Sequence, residues 1–398
     1  PETAAEGVAY VVVEDSAGAM ADMAAAFYGF PSCELKLVGI TGTNGKTTTV
    51  TLLYDLVRAM GYKAGLISTV VYKIDGREVE STHTTPDPIR LNAMMREMAD
   101  AGCEFCFMEC SSHAIVQERT RGLDFAGGIF SNITHDHLDY HKTFAEYIRA
   151  KKLFFDGLSK GAFALTNADD RNGRVMVQNT AASVSTYSLR AMADFRCKIV
   201  EMHLDGMLLR IDGQELWVGL LGRFNAYNLL AVYGAAVLLG LDRGEVLRVL
   251  SVLHAVSGRF HTPDALENVI QTIEEIRTPE QQLIVVCGCG GDRDRTKRPE
   301  MAQIAVKYAT TAIFTSDNPR HESPEAILDD MAAGLDPGVR YLRIADRAEA
   351  IRTAVMLSRP GDILLVAGKG HETYQIVGDV KHHFDDREEV RRAFSLLR

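Results

Sequence analysis

Positive charge is the scarcer kind in this chain. Its 43 lysines and arginines stand against 53 aspartates and glutamates, a formal net charge of −10, which argues against a protein whose main business is holding nucleic acid or an anionic membrane. Basic residues should therefore matter locally rather than in bulk. No apolar run reaches the roughly 18 residues needed to cross a bilayer, and the opening PETAAEG has neither the basic nor the apolar region of a signal peptide. Membrane insertion is not expected, and a cytoplasmic location is. Seven cysteines are present, but without zinc-type pairing. Cys103, Cys106 and Cys110 straddle a buried-strand pattern and read as reduced thiols in a core. Two motifs are also lacking. Without a GxSxG elbow, Ser111-Ser112-His113 does not read as a hydrolase nucleophile. The second half alternates strands and helices but has no GxGxxG of its own.

What is present begins with GITGTNGKTTT at residues 39–49, a glycine- and threonine-rich turn between a strand pattern (35–40) and a helical one (47–60). It reads as a loop for the phosphates of a nucleoside triphosphate. Gly42 and Gly45 permit backbone conformations that aim N–H groups at phosphate oxygens, with Thr43, Asn44 and Thr48 completing the cradle. Lys46 supplies an ammonium to the outer phosphates and Thr47 a hydroxyl to Mg²⁺. The usual G-x-x-x-x-G-K-[ST] pattern wants glycine at position 40, which is Ile40 here.

At 398 residues with 46% hydrophobic content, roughly two to three globular domains are expected. The first 30 residues hold a strand-like run (8–13) and an alanine-rich helix (17–27), too little for a domain, and residues 1–31 read as the remnant of something larger. From 35 to 165 apolar β-rich runs (64–70, 104–109, 126–133, 162–166) alternate with helical patterns (88–101, 144–158), which predicts an α/β domain with a mainly parallel sheet covered on both faces. Asp205-Gly206 and Asp212-Gly213 signal hairpins, hence an antiparallel patch appended to this central domain (32–258), followed by helices at 225–239 and 243–253. From 259 to 398 a second α/β series is expected, Rossmann-like, with strands at 283–287, 312–316, 339–344 and 362–367. Its helices are expected at 263–276, 298–308, after Ser323-Pro324, and at 347–357. The glycines of CGCGGDRDR (287–295) and AGKGHE (367–372) fall at strand C-termini, where ligands of open α/β sheets bind.

GTNGKTT (42–48), HTTPD (83–87), MECSSHAIVQER (108–119), NITHDHLDYH (132–141), AKKLFF (150–155), GRFNAYN (222–228), GGDRDRTKRPEM (290–301), SDNPR (316–320) and GKGHETYQ (368–375) occur in the order and approximate spacing of the Mur ligases. Within them the chain resembles the members that add diaminopimelate as the third residue of the peptidoglycan stem peptide. The resemblance runs from about residue 8 to the end. Two departures accompany it. The family's N-terminal domain, which holds the uridine nucleotide, is almost entirely absent, and the strand that usually precedes the family's His-Thr-Pro is missing where Phe260 joins His261. A natural polypeptide longer at both places is expected.

The resemblance implies ATP-driven amide synthesis. The γ-phosphate passes to the D-glutamate carboxylate of UDP-MurNAc-L-Ala-D-Glu, and an amine of meso-diaminopimelate attacks the acyl phosphate. It implies one Mg²⁺ on Thr47 and Glu109, a second near His137, and a carbamate formed from CO₂ on Lys151 as an anionic ligand to that second ion. Only a neutral amine takes up CO₂, so the Lys151 site must favour that form, as desolvation and neighbouring cations do. Lys152 reads as a solvated helix face, and the residues alone give Lys151 the same reading. His135, His137 and His141 by themselves would suggest zinc, but no cysteine cluster supports it. By resemblance Thr84, Thr85, Ser111, Gln117 and Arg119 contact the muramoyl dipeptide, and Asn228 and Arg259 match adenine and phosphate positions. Arg293, Asp317, Asn318, Arg320, Gly368 and Glu372 hold diaminopimelate, whose zwitterionic far end suits arginines for carboxylate and acidic and amide groups for ammonium. A monomer is expected. The rival readings are a related ligase, lysine-adding or of the folylpolyglutamate synthetase kind, and a non-catalytic nucleotide-binding module.

Overall fold

The segment KLVGIT, Lys36–Thr41, forms β1, buried on both faces from Leu37 onward as a strand between two helical layers must be. The structure, a computed structural model, describes residues 12–81, 83–134, 138–203, 205–253, 263–369 and 372–397. These fall into two compact units, one within Pro1–Val200, Leu208–Gly219 and Asn225–His254, the other within Glu201–Met207, Leu220–Phe224 and Ala255–Arg398.

Along the chain β1 is followed by β2 (Ala64–Ile67), β3 (Val71–Ile74), β4 (Arg77–Glu80), β5 (Phe105–Glu109), β6 (Gly127–Phe130), β7 (Phe163–Asn167), β8 (Ser183–Ser188), β9 (Phe195–His203), β10 (Gly206–Ile211) and β11 (Gln214–Val218). They form one sheet of order β11-β10-β9-β8-β7-β6-β1-β5-β2-β3-β4. The centre is parallel, with β1 between β5 and β6, and this reversal of strand order opens a crevice at the C-terminal end of β1. The hairpins 195–218 continue this sheet at one edge, as the expected antiparallel patch appended to it. A second antiparallel extension stands at the other edge, where β2 pairs β3 and β3 pairs β4. β3 and β4 turn at Asp75-Gly76, both with positive φ, and the strand expected over 64–70 ends at Ile67, after which Ser68 Oγ accepts from the Val70 and Val71 N–H groups.

The helix Lys46–Ala59 packs its Val50, Leu53, Leu56 and Val57 inward. The helix Phe144–Asp156 starts where the Thr143 hydroxyl accepts from the Glu146 N–H, an N-cap bond. It buries Tyr147, Ala150, Lys151, Phe154 and Phe155, an i, i+3, i+4, i+7, i+8 stripe in which Lys151 is the only charge.

In the second unit β12 (Leu283–Cys289), β13 (Thr311–Ser316), β14 (Leu342–Arg343) and β15 (Ile363–Ala367) form an all-parallel sheet of order β14-β13-β12-β15. Alternation along β12 sends Val285, Cys287 and Cys289 into one core layer and Ile284 and Val286 into the other. The strand expected over 339–344 shrinks to two residues because Asp336–Val339 is a turn, closed by the Val339 N–H to the Asp336 carbonyl, with Gly338 at φ +100°. A two-stranded hairpin of β16 (Tyr374–Val377) and β17 (Val380–His383) and the helix Asp386–Ser395 complete the unit. No long apolar helix able to cross a membrane occurs among the described residues. Of the run expected as a strand at 8–13, residues 8–11 lie outside the described residues, as do Arg259 and the Phe260–His261 junction; Val12 and Val13 are exposed and not in a strand.

Candidate functional site

Two clusters of buried polar groups stand at strand C-termini, one in each unit. The first surrounds the loop after β1. A Cβ on Gly42 would lie 1.9 Å from Ser131 Oγ, and one on Gly45, at φ +86°, 2.4 Å from Asn228 Oδ1, so both positions demand glycine. Ile40 needs none: it is still in the strand, its carbonyl accepting from the Cys110 N–H. β6 ends early, at Phe130 rather than 133, because Ser131 and Asn132 turn to the loop. Ser131 Oγ donates to the Asn44 carbonyl at 2.7 Å, and Asn132 both donates to it and accepts from the Asn44 N–H, each at 3.0 Å. Thr43 Oγ1 lies 3.2 Å from the Tyr147 hydroxyl.

Lys46 Nζ folds onto the loop, donating to the Gly42 and Thr43 carbonyls at 2.9 Å each. Lys151, 1% exposed, donates to the same Gly42 carbonyl at 2.8 Å and lies over the Tyr147 ring at 4.5 Å. Two ammonium groups thus share one carbonyl oxygen. Lys152 is not the solvated residue its position suggests: its side chain is 13% exposed and pairs with Asp156.

Glu109, at the end of β5, is 1% exposed. It accepts from Thr47 Oγ1 at 2.8 Å and from the Thr69 N–H and hydroxyl at 2.8 and 3.1 Å. Burial pushes its carboxyl above the ordinary value despite the opposing influence of Lys46 and these donors, the condition of a carboxylate short of cation. Thr47 and Glu109 offer hard oxygens of the kind Mg²⁺ prefers. A continuous chain of bonds leads on: Thr85 Oγ1 donates to the Glu109 carbonyl and accepts from the Ser111 N–H, and Arg119 donates to the Thr85 carbonyl and the Gln117 side chain. Thr84 Oγ1 accepts from Thr69. Thr84, Thr85, Ser111, Gln117 and Arg119 are therefore brought together beside Glu109. Thr48 lies in the first turn of the helix Lys46–Ala59, half-buried. His137 and His135 lie outside the described residues; His141 is buried with Nε2 2.9 Å from Ser112 Oγ. No cluster of three or more histidines, cysteines or carboxylates able to hold a metal occurs among the described residues.

The second cluster gathers where β12, β13 and β15 end. Asp317, Asn318 and Glu372 are buried, and Asn318 Nδ2 donates to Glu372 Oε2 at 2.7 Å. Asp317 Oδ1 is buried without a hydrogen-bond partner among the described residues. A Cβ on Gly368, at φ +120°, would come within 3.2 Å of the Gly288 carbonyl and 3.5 Å of Asp317 Oδ2. Arg320, in left-handed backbone conformation, donates from Nη1 to the Gly291 carbonyl at 2.7 Å. Arg293 is exposed.

Sequence reasoning passed over three residues here. Lys369, 0% exposed, lies 3.8 Å from both Asp317 and Glu372 and donates to Asn318 Oδ1. Arg347 pairs bidentately with Asp386 at 2.7 Å and donates to the Ser316 and Ala367 carbonyls, tying together the ends of β13 and β15. Arg298 joins Glu322, Asp330 and the Gly290 carbonyl, and its hydrogen bonds hold the Glu322 carboxyl at about 2 against the cost of burial. Lys369 lies inside GKGHETYQ, so a motif did mark it. Arg347 meets its partner 39 residues later, and no local pattern announces that.

The Mur ligase middle domain matches residues 40–236 and the Mur ligase glutamate ligase domain residues 260–370. A protein of Parabacteroides distasonis named UDP-N-acetylmuramoyl-L-alanyl-D-glutamate–2,6-diaminopimelate ligase is 56% identical, the match covering 97% of this chain and 83% of that protein. One of the same name from Phocaeicola vulgatus is 54% identical over 99% of this chain and 85% of its own length. A solved structure bearing that name is 34% identical with a TM-score of 0.69, covering 99% of this chain and 86% of the other.

Proposed function

The chain belongs to the Mur ligase family, and from that premise we propose that it is the ATP-dependent ligase that joins 2,6-diaminopimelate to the D-glutamate of UDP-MurNAc-L-Ala-D-Glu in peptidoglycan precursor synthesis. The observation that carries the reading is the meeting of Thr47 and Glu109, 62 residues apart in sequence and 2.8 Å apart in space, beside a loop shaped to receive phosphates.

The γ-phosphoryl group of ATP moves to the D-glutamate carboxylate, the diaminopimelate amine attacks the acyl phosphate, and inorganic phosphate leaves. Catalysis of this kind is mainly positioning and neutralisation of charge. The Gly42–Thr48 loop would hold the triphosphate, with Lys46 leaving the loop carbonyls for the outer phosphates and Asn228 standing beside Gly45 near the nucleotide. Mg²⁺, carried by Thr47 and Glu109, would neutralise the phosphate oxygens, and its charge is what the buried Glu109 carboxylate needs. Lys151 would take up CO₂ as a neutral amine, and its carbamate with His137 would serve a second Mg²⁺; the burial of Lys151 and its closeness to Lys46 support this assignment. Thr84, Thr85, Ser111, Gln117 and Arg119 would orient the muramoyl dipeptide, with Arg119 opposite a carboxylate, and Arg259 would meet ATP phosphate.

For the second substrate, Asp317 and Glu372 would take the ammonium at the far end of meso-diaminopimelate. Asn318, Arg320, Arg293 and the space kept open at Gly368 would take its carboxylate. On this assignment residues 32–258 bind nucleotide and residues 259–398 bind the amino acid. Incubating the protein with ATP, Mg²⁺, UDP-MurNAc-L-Ala-D-Glu and meso-diaminopimelate tests the reading by mass spectrometry. A UDP-MurNAc-tripeptide whose formation requires all components supports it; ATP hydrolysis indifferent to the amino acid would mark a nucleotide-binding module instead.

A further inference from the structure

Resting on that reading, we propose that Lys369 is a positioning residue that sets both the charge and the hydrogen-bond polarity of the amino-acid pocket. Its ammonium is wholly buried, 3.8 Å from Asp317 Oδ1 and 3.8 Å from Glu372 Oε2, and it donates to Asn318 Oδ1 at 3.3 Å and to the Tyr374 carbonyl. Without that cation the two buried carboxylates would lose the counter-ion they share, which disfavours their both staying charged. With it the pair keeps one net negative charge, which matches one incoming ammonium. Lys369 also fixes the Asn318 amide. Oδ1 accepts from Lys369 and from the Ile376 N–H at 2.8 Å, a donor that only the oxygen can meet, so Nδ2 turns to Glu372 Oε2. A second amide hydrogen then remains for a carboxylate. Among the described residues, the other groups around the pocket include Arg347 and Asp386 behind the strand ends, Arg320 on the loop, the Cys287 and Cys289 thiols, and the Tyr374 and Phe384 rings 5.9 Å from the Lys369 nitrogen. None of these replaces the cation between the two carboxylates.

The test compares Lys369→Met, Lys369→Met with Glu372→Gln, and the wild type, each as the full chain, by steady-state ligation and thermal unfolding. Lys369→Met should raise KM for meso-diaminopimelate at least tenfold while KM for ATP and for the muramoyl dipeptide stays within twofold. The acid limb of kcat/KM for the amino acid should move to higher pH, because the unshielded carboxylates hold protons longer. The double variant carries the wild-type net charge in the pocket and should recover most of the stability lost by the single one. A merely structural lysine would lower all three kcat/KM values together and leave the pH profile in place; that result, an unchanged KM, or a double variant no more stable than the single would overturn the proposal. A wild-type protein that does not ligate diaminopimelate would instead defeat the functional reading itself.

Discussion

The two polar clusters each bury a lysine at the end of a parallel sheet, and they neutralise it in opposite ways. Lys151 points at a backbone carbonyl that Lys46 also uses, so the first cluster gathers two cations at one neutral oxygen and is poised for a polyanion. Lys369 lies between two carboxylates, so the second is left with surplus negative charge and an Asp317 oxygen that accepts no hydrogen bond among the described residues, poised for an ammonium. The lesson is that buried charge alone does not identify a ligand. What each charge is already paired with does.

The contrast is broken most severely at Lys46. Lys46→Ala removes the charge that would meet the transferring phosphoryl group but no core contact, and it should lower ligation on the order of a thousandfold with an unchanged thermal transition. Substantial turnover by the folded variant would reject the phosphate loop. Next in size is Lys151→Ala, expected to lose roughly a hundredfold or more and to regain part of it with small carboxylates that occupy the vacated place. Near-normal activity in bicarbonate-free buffer would rule out a carbamate.

On the other side of the comparison, Arg320→Ala should cut kcat/KM for diaminopimelate by roughly a hundredfold, since losing one charge-assisted contact costs on the order of 2–5 kcal/mol. Use of ATP and of the muramoyl dipeptide should barely change, and the gap to lysine should narrow. An unchanged ratio of diaminopimelate to lysine use would place selectivity elsewhere in the pocket.

The smallest effect sharpens the contrast rather than breaking it. Burial raises the folded-state pKa of Glu109, so between its unfolded and folded values the native state binds the extra proton and stability falls as pH rises. Glu109→Gln abolishes that dependence. Without magnesium its melting temperature should gain on wild type by on the order of 2–4 °C as pH is raised from 4 through neutrality, even as ligation is lost. A difference independent of pH would mean that Glu109 is charged in the apoprotein at no cost.

Much of this was legible in the sequence, and the reasons differ by element. The loop at 42–48, the parallel strands and the helix Phe144–Asp156 follow from local pattern, and the 147-150-151-154-155 stripe contains the burial of Lys151 for a reader who extends apolar periodicity through a charge. Asp75-Gly76 carried the same hairpin signal as Asp212-Gly213. The early end of β6 was not legible, because Ser131 and Asn132 bond to a loop some 87 residues away. Nor was the bracing by Arg298 and Arg347, which lie near helix N-termini where surface exposure is the ordinary expectation and are buried by partners distant in sequence. Removing one partner of such a pair costs on the order of 3–5 kcal/mol, so these residues support the amino-acid cluster without belonging to any local motif.

The most direct measurement of the opposed charge logic is ligation of UDP-MurNAc-L-Ala-D-Glu with three acceptors in one assay: meso-diaminopimelate, lysine, which lacks the far carboxylate, and 2-aminopimelate, which lacks the far amine. A pocket with Asp317 and Glu372 for the ammonium and Arg320 for the carboxylate should favour diaminopimelate over each analogue by about a hundredfold in kcat/KM. If 2-aminopimelate served as well as diaminopimelate, the surplus negative charge around Lys369 would have no bearing on the substrate, and the account of the second site would be wrong.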